Sequence, residues 1–401
     1  MNIHEYQAKK ILSQYGIVVP KGGIAYTAEE AKRIASSISM RGPWMVKAQI
    51  HSGARNNGYF LEKRAGKKGG IRRVKSRKEI FQEAWKMFGS TLVTMQTGPK
   101  GKFVSRVFVE AFNEVKKIFY AGLVIDRHIP AVTLLIAETK DEEILGVALS
   151  NPSKILKVPL DLITGADSEQ IAKVMNFLKL GKNSRPHMGT FINGLHQAFV
   201  DYDATMIEIN PTGVLKNGSI VALDAKMSFD ENALFRHKDV LKLRDEYEDD
   251  DRELKASKYG FTYSEFDGSI GCITNGDGVS MACMDLLHAK GEDTACLLNV
   301  VKGGVDKDKI AAGIKIIMTN PKVEGILINI LGGFLRCNLI ADGIVSAASE
   351  VGLNVPLVVR FEGTNKDDAK EILVNSKLPL VIAESMEDGV DKLISLMKED
   401  S

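Results

Sequence analysis

Cysteine is scarce in this 401-residue chain. The four, Cys272, Cys283, Cys296 and Cys337, all lie in the C-terminal half, and no two are spaced as CxxC. That argues against a disulfide framework and against a zinc site, and it fits a reducing cytosol or organelle matrix. Long apolar runs are missing as well: none approaches the ~20 residues needed to span a bilayer. The start, MNIHEYQAKKILSQYG, has neither the apolar core of a signal peptide nor the Arg/Ser-rich, acid-free character of a presequence. Excess charge is absent too. With 53 Lys/Arg against 51 Asp/Glu the net charge is +2, which gives no global reason to expect a nucleic acid or a membrane as partner. The seven histidines are scattered and form no HExxH. What remains is an ordinary globular composition, 44% hydrophobic and 26% charged, at a length that predicts two or three domains.

Locally the charge is uneven. Residues 63–78 (KRAGKKGGIRRVKSRK) carry nine bases in sixteen positions, and residues 245–253 (DEYEDDDRE) carry seven acids in nine. Each reads first as a solvated loop. The sharper reading of the basic run is a loop beside a polyphosphate. RNA is disfavoured because no aromatics interleave the bases.

Periodicity predicts an amphipathic helix over 3–15, closed by Gly16. Thr27 and Glu30, then Ser76 and Glu79, form capping boxes that open helices to about Ile38 and Phe88. PWMVKAQI reads as a strand. Further strands are expected within 90–97, 105–112, 117–126 and 131–139, helices near 168–179 and 187–200, and a hairpin turning at Lys216-Asn217-Gly218. Residues 237–262 are charged and poor in aliphatics, and read as a linker. Beyond it, five strand–helix units in ~140 residues predict a doubly wound parallel sheet with right-handed crossovers. The fold class is α/β, with a mixed α+β first domain over 1–236 and a second domain over 263–401.

Three constellations carry chemistry. Lys47 sits in an apolar strand, where an ammonium is costly without an anionic partner. The loop after it, HSGARNNG, offers backbone amides that suit a phosphate. The plain alternative is a strand-end lysine reaching solvent. The hairpin presents Glu208 and Asn210 on one strand, Asp224 and Lys226 on the other. Carboxylate and amide oxygens suit Mg2+. A two-residue turn would set Asn210 opposite Ala225, whereas a three-residue loop or a bulge would set it opposite Asp224. The plain alternative here is the polar outer face of an exposed hairpin. Last, the turns Thr274–Gly278 and Gly332–Asn338 follow parallel strands, at the end where open α/β sheets bind ligands. Such turns also serve simply as connections.

Taken together, MNIHEYQAK, VKAQIHSGAR, LVTMQTGPKGK, EINP, LDAKMSFDENALFRH, GSIGCITNGDG, ILGGFLRCNLIADGI and VPLVVRFEGTN resemble the beta subunits of the succinyl-CoA synthetase (succinate–CoA ligase) family over essentially the whole chain. The resemblance implies an N-terminal ATP-grasp domain and a flavodoxin-like CoA-ligase domain. It implies an alpha subunit, in a heterodimer or heterotetramer, that carries the CoA site and a transiently phosphorylated histidine. It also implies the reversible conversion of succinate, CoA and ATP to succinyl-CoA, ADP and phosphate, in bacterial cytoplasm or a mitochondrial matrix. By matching position, Lys47, Ala54, Arg55, Asn56, Glu110 and Asn113 fall where the family binds nucleotide. Asn210 and Asp224 fall on its Mg2+ ligands. Glu208 falls on a glutamate near the phosphohistidine, taken here as the catalytic candidate. Asn275, Gly332, Gly333 and Phe334 fall at the substrate site shared with the alpha subunit.

The nucleotide loop departs from the family's Gly-Gly-Arg-Gly-Lys, reading Gly53-Ala54-Arg55-Asn56-Asn57, and Ile118 stands where a glutamate is usual. Three readings follow: an active succinate–CoA ligase subunit, a malate–CoA ligase subunit, or a non-catalytic paralogue.

Overall fold

The computed structural model describes every residue except 130, 139–143, 249, 301–305, 333–334, 353 and 400–401. The chain divides into two compact units, Met1–Glu248 and Asp249–Ser401. The division falls inside the stretch expected to be a linker. That stretch is structured: it holds the helices Lys238–Leu241 and Asp251–Lys258, and its end enters a strand, Phe261–Glu265.

The first unit is built on a seven-stranded antiparallel sheet. Its path runs Asn2–Ile3, Lys226–Phe229, Ala204–Val214, Lys117–Asp126, Ala131–Ala137 and Ile155–Leu160, with Ile220–Ala222 paired to Ala204–Val214. The helix Arg185–Asp201 buries Phe191, Leu195 and Phe199 in the same core as Phe119, Leu123 and Leu134 of the sheet. A four-stranded antiparallel sheet, Gly22–Ala25, Val107–Ala111, Trp44–Ala48 and Ile71–Val74, has its own core around Trp44, Val46 and Ile80. Both expected helix starts form with half of the capping box: the Glu30 and Glu79 carboxylates accept from the Tyr26 and Lys75 amides, one residue before the cap, instead of from the cap itself. Thr27 accepts from the Glu30 amide at 3.1 Å, and Ser76 from the Glu79 amide at 3.2 Å.

The first helix is shorter than the apolar spacing predicts, Glu5–Gln14. Ile3 belongs instead to a short strand paired with Lys226–Phe229, so its burial comes from the sheet. The polar side of this helix is buried as well: Glu5 and Lys9 are 5% and 2% exposed. Amphipathic reasoning assigns such residues to solvent.

In the second unit the strand order is Phe261–Glu265, Thr294–Val300, Ile270–Thr274, Gly325–Gly332, Leu357–Gly363 and Leu380–Ala383. Five of these are parallel, in the flavodoxin order 2-1-3-4-5, and Phe261–Glu265 adds an antiparallel edge. Alternation along Gly325–Gly332 feeds two cores. Ile326, Ile328 and Ile330 pack with the helices Lys307–Met318, Cys337–Val351 and Lys366–Asn375. Leu327 packs on the other face with Asp277–Ala289 and Met386–Glu399.

The basic run is no uniform solvated loop. Within it, Arg72 is 3% exposed and donates to the Glu83 carboxylate at 2.6 Å and to the carbonyls of Ala65, Lys68 and Gly69. Its guanidinium also lies over the Phe60 ring. Arg72→Ala would leave three carbonyls without their donor and the Glu83 carboxylate with Lys86 alone, so urea unfolding should show a loss of about 3 kcal/mol. The exposed Lys67→Ala should stay within ~0.5 kcal/mol of wild type.

Candidate active site

A cavity of about 490 Å3 opens between the loop Gly53–Asn57 and the hairpin, with Ala54, Arg55, Asn56, Glu208, Asn210 and Asp224 all on its wall. The hairpin register explains the last three. Leu215 N–H donates to Ser219 O at 2.9 Å, which leaves a three-residue loop, 216–218, with Gly218 at φ +89°. Val214 then pairs with Ile220 and Glu208 with Lys226, and that register sets Asn210 opposite Asp224. The three-residue alternative is therefore the one realised.

Behind this wall lies a buried set of two carboxylates and three cations, and Asp224 on the wall completes its charge. Glu5 is its hub. Its Oε1 accepts from Lys9 and Lys47, both at 2.7 Å, and its Oε2 from Arg55 at 2.7 Å and Gln49 at 3.2 Å. Glu110 accepts from Lys9 at 2.6 Å and pairs with Lys47 at 2.7 Å. The Leu223 carbonyl accepts from both lysines. Arg55 reaches out of this set to Asp224, at 2.9 and 2.7 Å to its two oxygens, and donates to Ala48 O at 2.7 Å.

Each ionised form is held by its neighbours. Burial opposes the Lys47 charge, but Glu110, Glu5 and Asp224 outweigh it and raise the ammonium above the usual lysine range. Arg55 is raised likewise, with Asp224 and Glu5 overcoming burial. Burial also opposes the Glu5 carboxylate, but Lys47, Lys9 and Arg55 hold it well below the ordinary glutamate value.

Lys47 thus has the anionic partner that its burial demands, and that partner is protein. Its three N–H groups go to Glu5, Glu110 and Leu223 O, which leaves none for a phosphate. Lys47, Glu110 and Asn113 are not among the residues that line the cavity. The Asn113 side-chain oxygen is buried without a partner. Glu5 and Lys9 were not singled out from sequence, because a Glu and a Lys four apart on a helix are ordinarily a solvent-exposed pair.

The loop itself is pinned from several sides. Gly53 N–H donates to Gln96 Oε1 at 2.7 Å, and Ser52 and Thr94 share a hydroxyl bond of 2.6 Å. Gly70 N–H donates to Arg55 O, and a Cβ on Gly69 would meet Asn56 O at 2.1 Å, so the chain can pass there only as glycine. Ala54 sits at φ +53°, in the left-handed region. Ile118 and Met95 give the cavity apolar wall, and His51 also lines it. Burial lowers His51 to about 3 and the neighbouring His4 to about 4, so both imidazoles are neutral at pH 7.

In the second unit, Asn275 clasps a neighbouring strand end. Its side-chain amide donates to Leu331 O at 2.7 Å, and its oxygen accepts from Leu331 N–H at 2.8 Å. Asn299 accepts from Gly276 N–H at 2.7 Å and donates to Asp277 at 2.6 Å. Gly332 ends its strand beside this clasp, and Gly333 and Phe334 lie outside the described residues.

Two family models match the chain: an ATP-grasp domain over residues 2–214 and a CoA-ligase domain over 273–393. The succinate–CoA ligase [ADP-forming] subunit beta of Rhodospirillum rubrum is 45% identical over 402 residues, covering all of both chains. The chain belongs to the succinate–CoA ligase beta-subunit family. A Brevibacillus brevis member of that family is 44% identical, over 99% of this chain and all of its own. Among solved structures, ATP citrate lyase from Methanothrix soehngenii superposes with a TM-score of 0.71 over 98% of this chain and 99% of that one, at 16% identity, a likeness of fold. The expected order of an ATP-grasp domain followed by a CoA-ligase domain is borne out. No helix among the described residues is long and apolar enough to cross a membrane.

Two measurements test the buried set. Glu5→Gln leaves three cations sharing two carboxylates and should lower stability by about 3–5 kcal/mol in urea. Because the folded Glu5 pKa is depressed, its contribution is complete above the unfolded value of 4.5 and is lost as pH falls through the folded one. The difference between wild type and Glu5→Gln should therefore shrink on acidification; a difference independent of pH would remove Glu5 from the hub.

Proposed function

We propose that this chain is the nucleotide-binding beta subunit of a succinate–CoA ligase, converting succinate, CoA and ATP reversibly to succinyl-CoA, ADP and phosphate together with an alpha subunit. The observation that carries the reading is the convergence of the loop Gly53–Asn57, Asn210 and Asp224 on one cavity, in a chain aligned end to end with relatives of that name. Its volume lies within the ~300–1,000 Å3 of small-molecule sites.

The oxygen donors fit Mg2+. Asn210 and Asp224 face each other across the hairpin, and among the described residues the Asn210 side chain makes no hydrogen bond. Such an ion would spread the negative charge of the phosphates. Arg55 now holds Asp224, but it is also bonded to Glu5 and Ala48 O, so the carboxylate can turn to a metal without leaving the guanidinium unpaired. Arg55 and the loop amides are the groups placed to meet phosphate oxygens. Lys47 acts from behind, fixing Glu5 and Glu110 and adding positive potential. Glu208 lines the cavity with Asn210, and in this reading it acts on the phosphoryl acceptor, the histidine of the alpha subunit. Asn275 fixes the strand end that leads to Gly332, at the succinate end of the reaction. ATP/ADP and Mg2+ are the cofactors, and the bacterial relatives support a cytoplasmic setting. The names of the full-length relatives do not favour the malate alternative.

Calorimetric titration of the folded chain with Mg–ATP, with Asp224→Ala beside it, tests this reading. We expect saturable binding that the variant loses at least tenfold; equal affinity would remove Asp224 from the metal site. Succinyl-CoA should form only on mixing with an alpha subunit, and turnover by the chain alone would contradict the two-subunit reading.

A further inference from the structure

A second polar cluster lies beyond the Glu5 hub, where the beginning of the first unit meets its end. His4, Asp245 and Glu248 are 1%, 7% and 8% exposed, and each offers one nitrogen or oxygen within 4.8 Å of the other two. His4 Nε2 lies 2.8 Å from Asp245 Oδ2. The His51 ring lies 4.4 Å from that of His4, centroid to centroid.

The cluster is incompletely bonded. Buried atoms without a partner here are His4 Nδ1, His51 Nε2 and Glu248 Oε2. The His4 nitrogen that faces Asp245 is Nε2; with the ring proton on Nδ1 it presents a lone pair toward the carboxylates, as does the Glu248 oxygen. Lys102 does not answer the latter: its ammonium donates to the Glu248 carbonyl at 2.6 Å and stays 3.8 Å from Oε2, beyond hydrogen-bond reach. Buried polar atoms are ordinarily satisfied, so an unbonded carboxylate oxygen beside His4 and Asp245 calls for a ligand. A water brings two protons. A divalent cation takes nitrogen and oxygen lone pairs without needing any.

We propose that His4, Asp245 and Glu248 form a binding site for one divalent transition-metal ion of the Zn2+ class, separate from the nucleotide cavity. One imidazole and two carboxylates suit zinc better than magnesium, which prefers oxygen alone and keeps its water. The two carboxylates match the ion's charge. Arg106, 2.7 Å from Asp245 Oδ2, serves as the outer partner that orients that carboxylate, and Lys102 stays anchored on the Glu248 carbonyl. His51 is the nearest further nitrogen. The ion would join residue 4 to residues 245–248 and so clip the two ends of the unit together.

The test uses the full chain, stripped with EDTA and held in Mg2+-free buffer. Zn2+ alone is titrated by calorimetry, and Co2+ alone is followed by its visible absorption. We expect one equivalent bound, a tetrahedral Co2+ spectrum and a raised Tm. Asp245→Asn and Glu248→Gln should each weaken binding at least tenfold, while Asp224→Ala keeps it. No binding to the wild type, or binding unchanged in both cluster variants, would overturn the site. Binding lost only in Asp224→Ala would place the ion in the nucleotide cavity and overturn it equally. Should Asp245→Asn fail to fold, Glu248→Gln and the wild-type Co2+ spectrum decide.

Discussion

The Glu5 carboxylate is the point through which the first unit is tied. It joins the first helix to the lysine strand through Lys47, to the nucleotide loop through Arg55, and through Lys9 and Lys47 to Glu110 and the hairpin carbonyl of Leu223. Five segments distant in sequence meet in one charge-balanced knot. Such a knot adds little net stability over a well-packed apolar substitute, because desolvation offsets most of the attraction. It contributes geometry. Each ammonium has its N–H groups committed, so neither lysine can turn without leaving a buried charge unpaired. The loop and the hairpin that bound the cavity are set by the same constraint.

This arrangement also orders the cations. Arg55 is the one with a foot in the knot and a foot on the cavity wall; Lys47 stands wholly inside. The planar fork of a guanidinium spreads its donors over a wider span than an ammonium, and Arg55 uses that span to hold Glu5, Ala48 O and both oxygens of Asp224. The departures at Ala54, Asn56 and Asn57 change the loop around Arg55 while leaving the guanidinium's anchors in place.

Much of this could be read from the sequence, and the rest fails for physical reasons. The helix caps at Thr27 and Ser76 were legible because their bonds are local. The five parallel strands were legible because continuous apolar runs alternating with helices admit few arrangements. The hairpin chemistry was half legible: the residue types suited a metal, but whether Asn210 faced Asp224 depended on one residue of loop length. Buried Lys47 demanded an anion, correctly, yet nothing in the residues around it could say that Glu5 and Glu110 would supply it. Arg72 hid in a run of nine bases because one inward-pointing arginine looks like its neighbours until Glu83 is placed. The edge strand Phe261–Glu265 went unseen because five residues beside an acidic run carry too short a pattern.

The closure of the first unit on its own beginning has a consequence for synthesis. Asn2–Ile3 pairs with Lys226–Phe229, and the first helix is held by Lys47, Glu110 and Leu223. A ribosome adding ~5–20 residues per second makes the N-terminal segment wait on the order of 10–45 s for its last partners. During that interval the helix that will be buried is exposed. Glu5, Lys9 and Lys10 keep it hydrated meanwhile, so the charges that fix the native geometry also protect the nascent chain from sticking before that geometry exists.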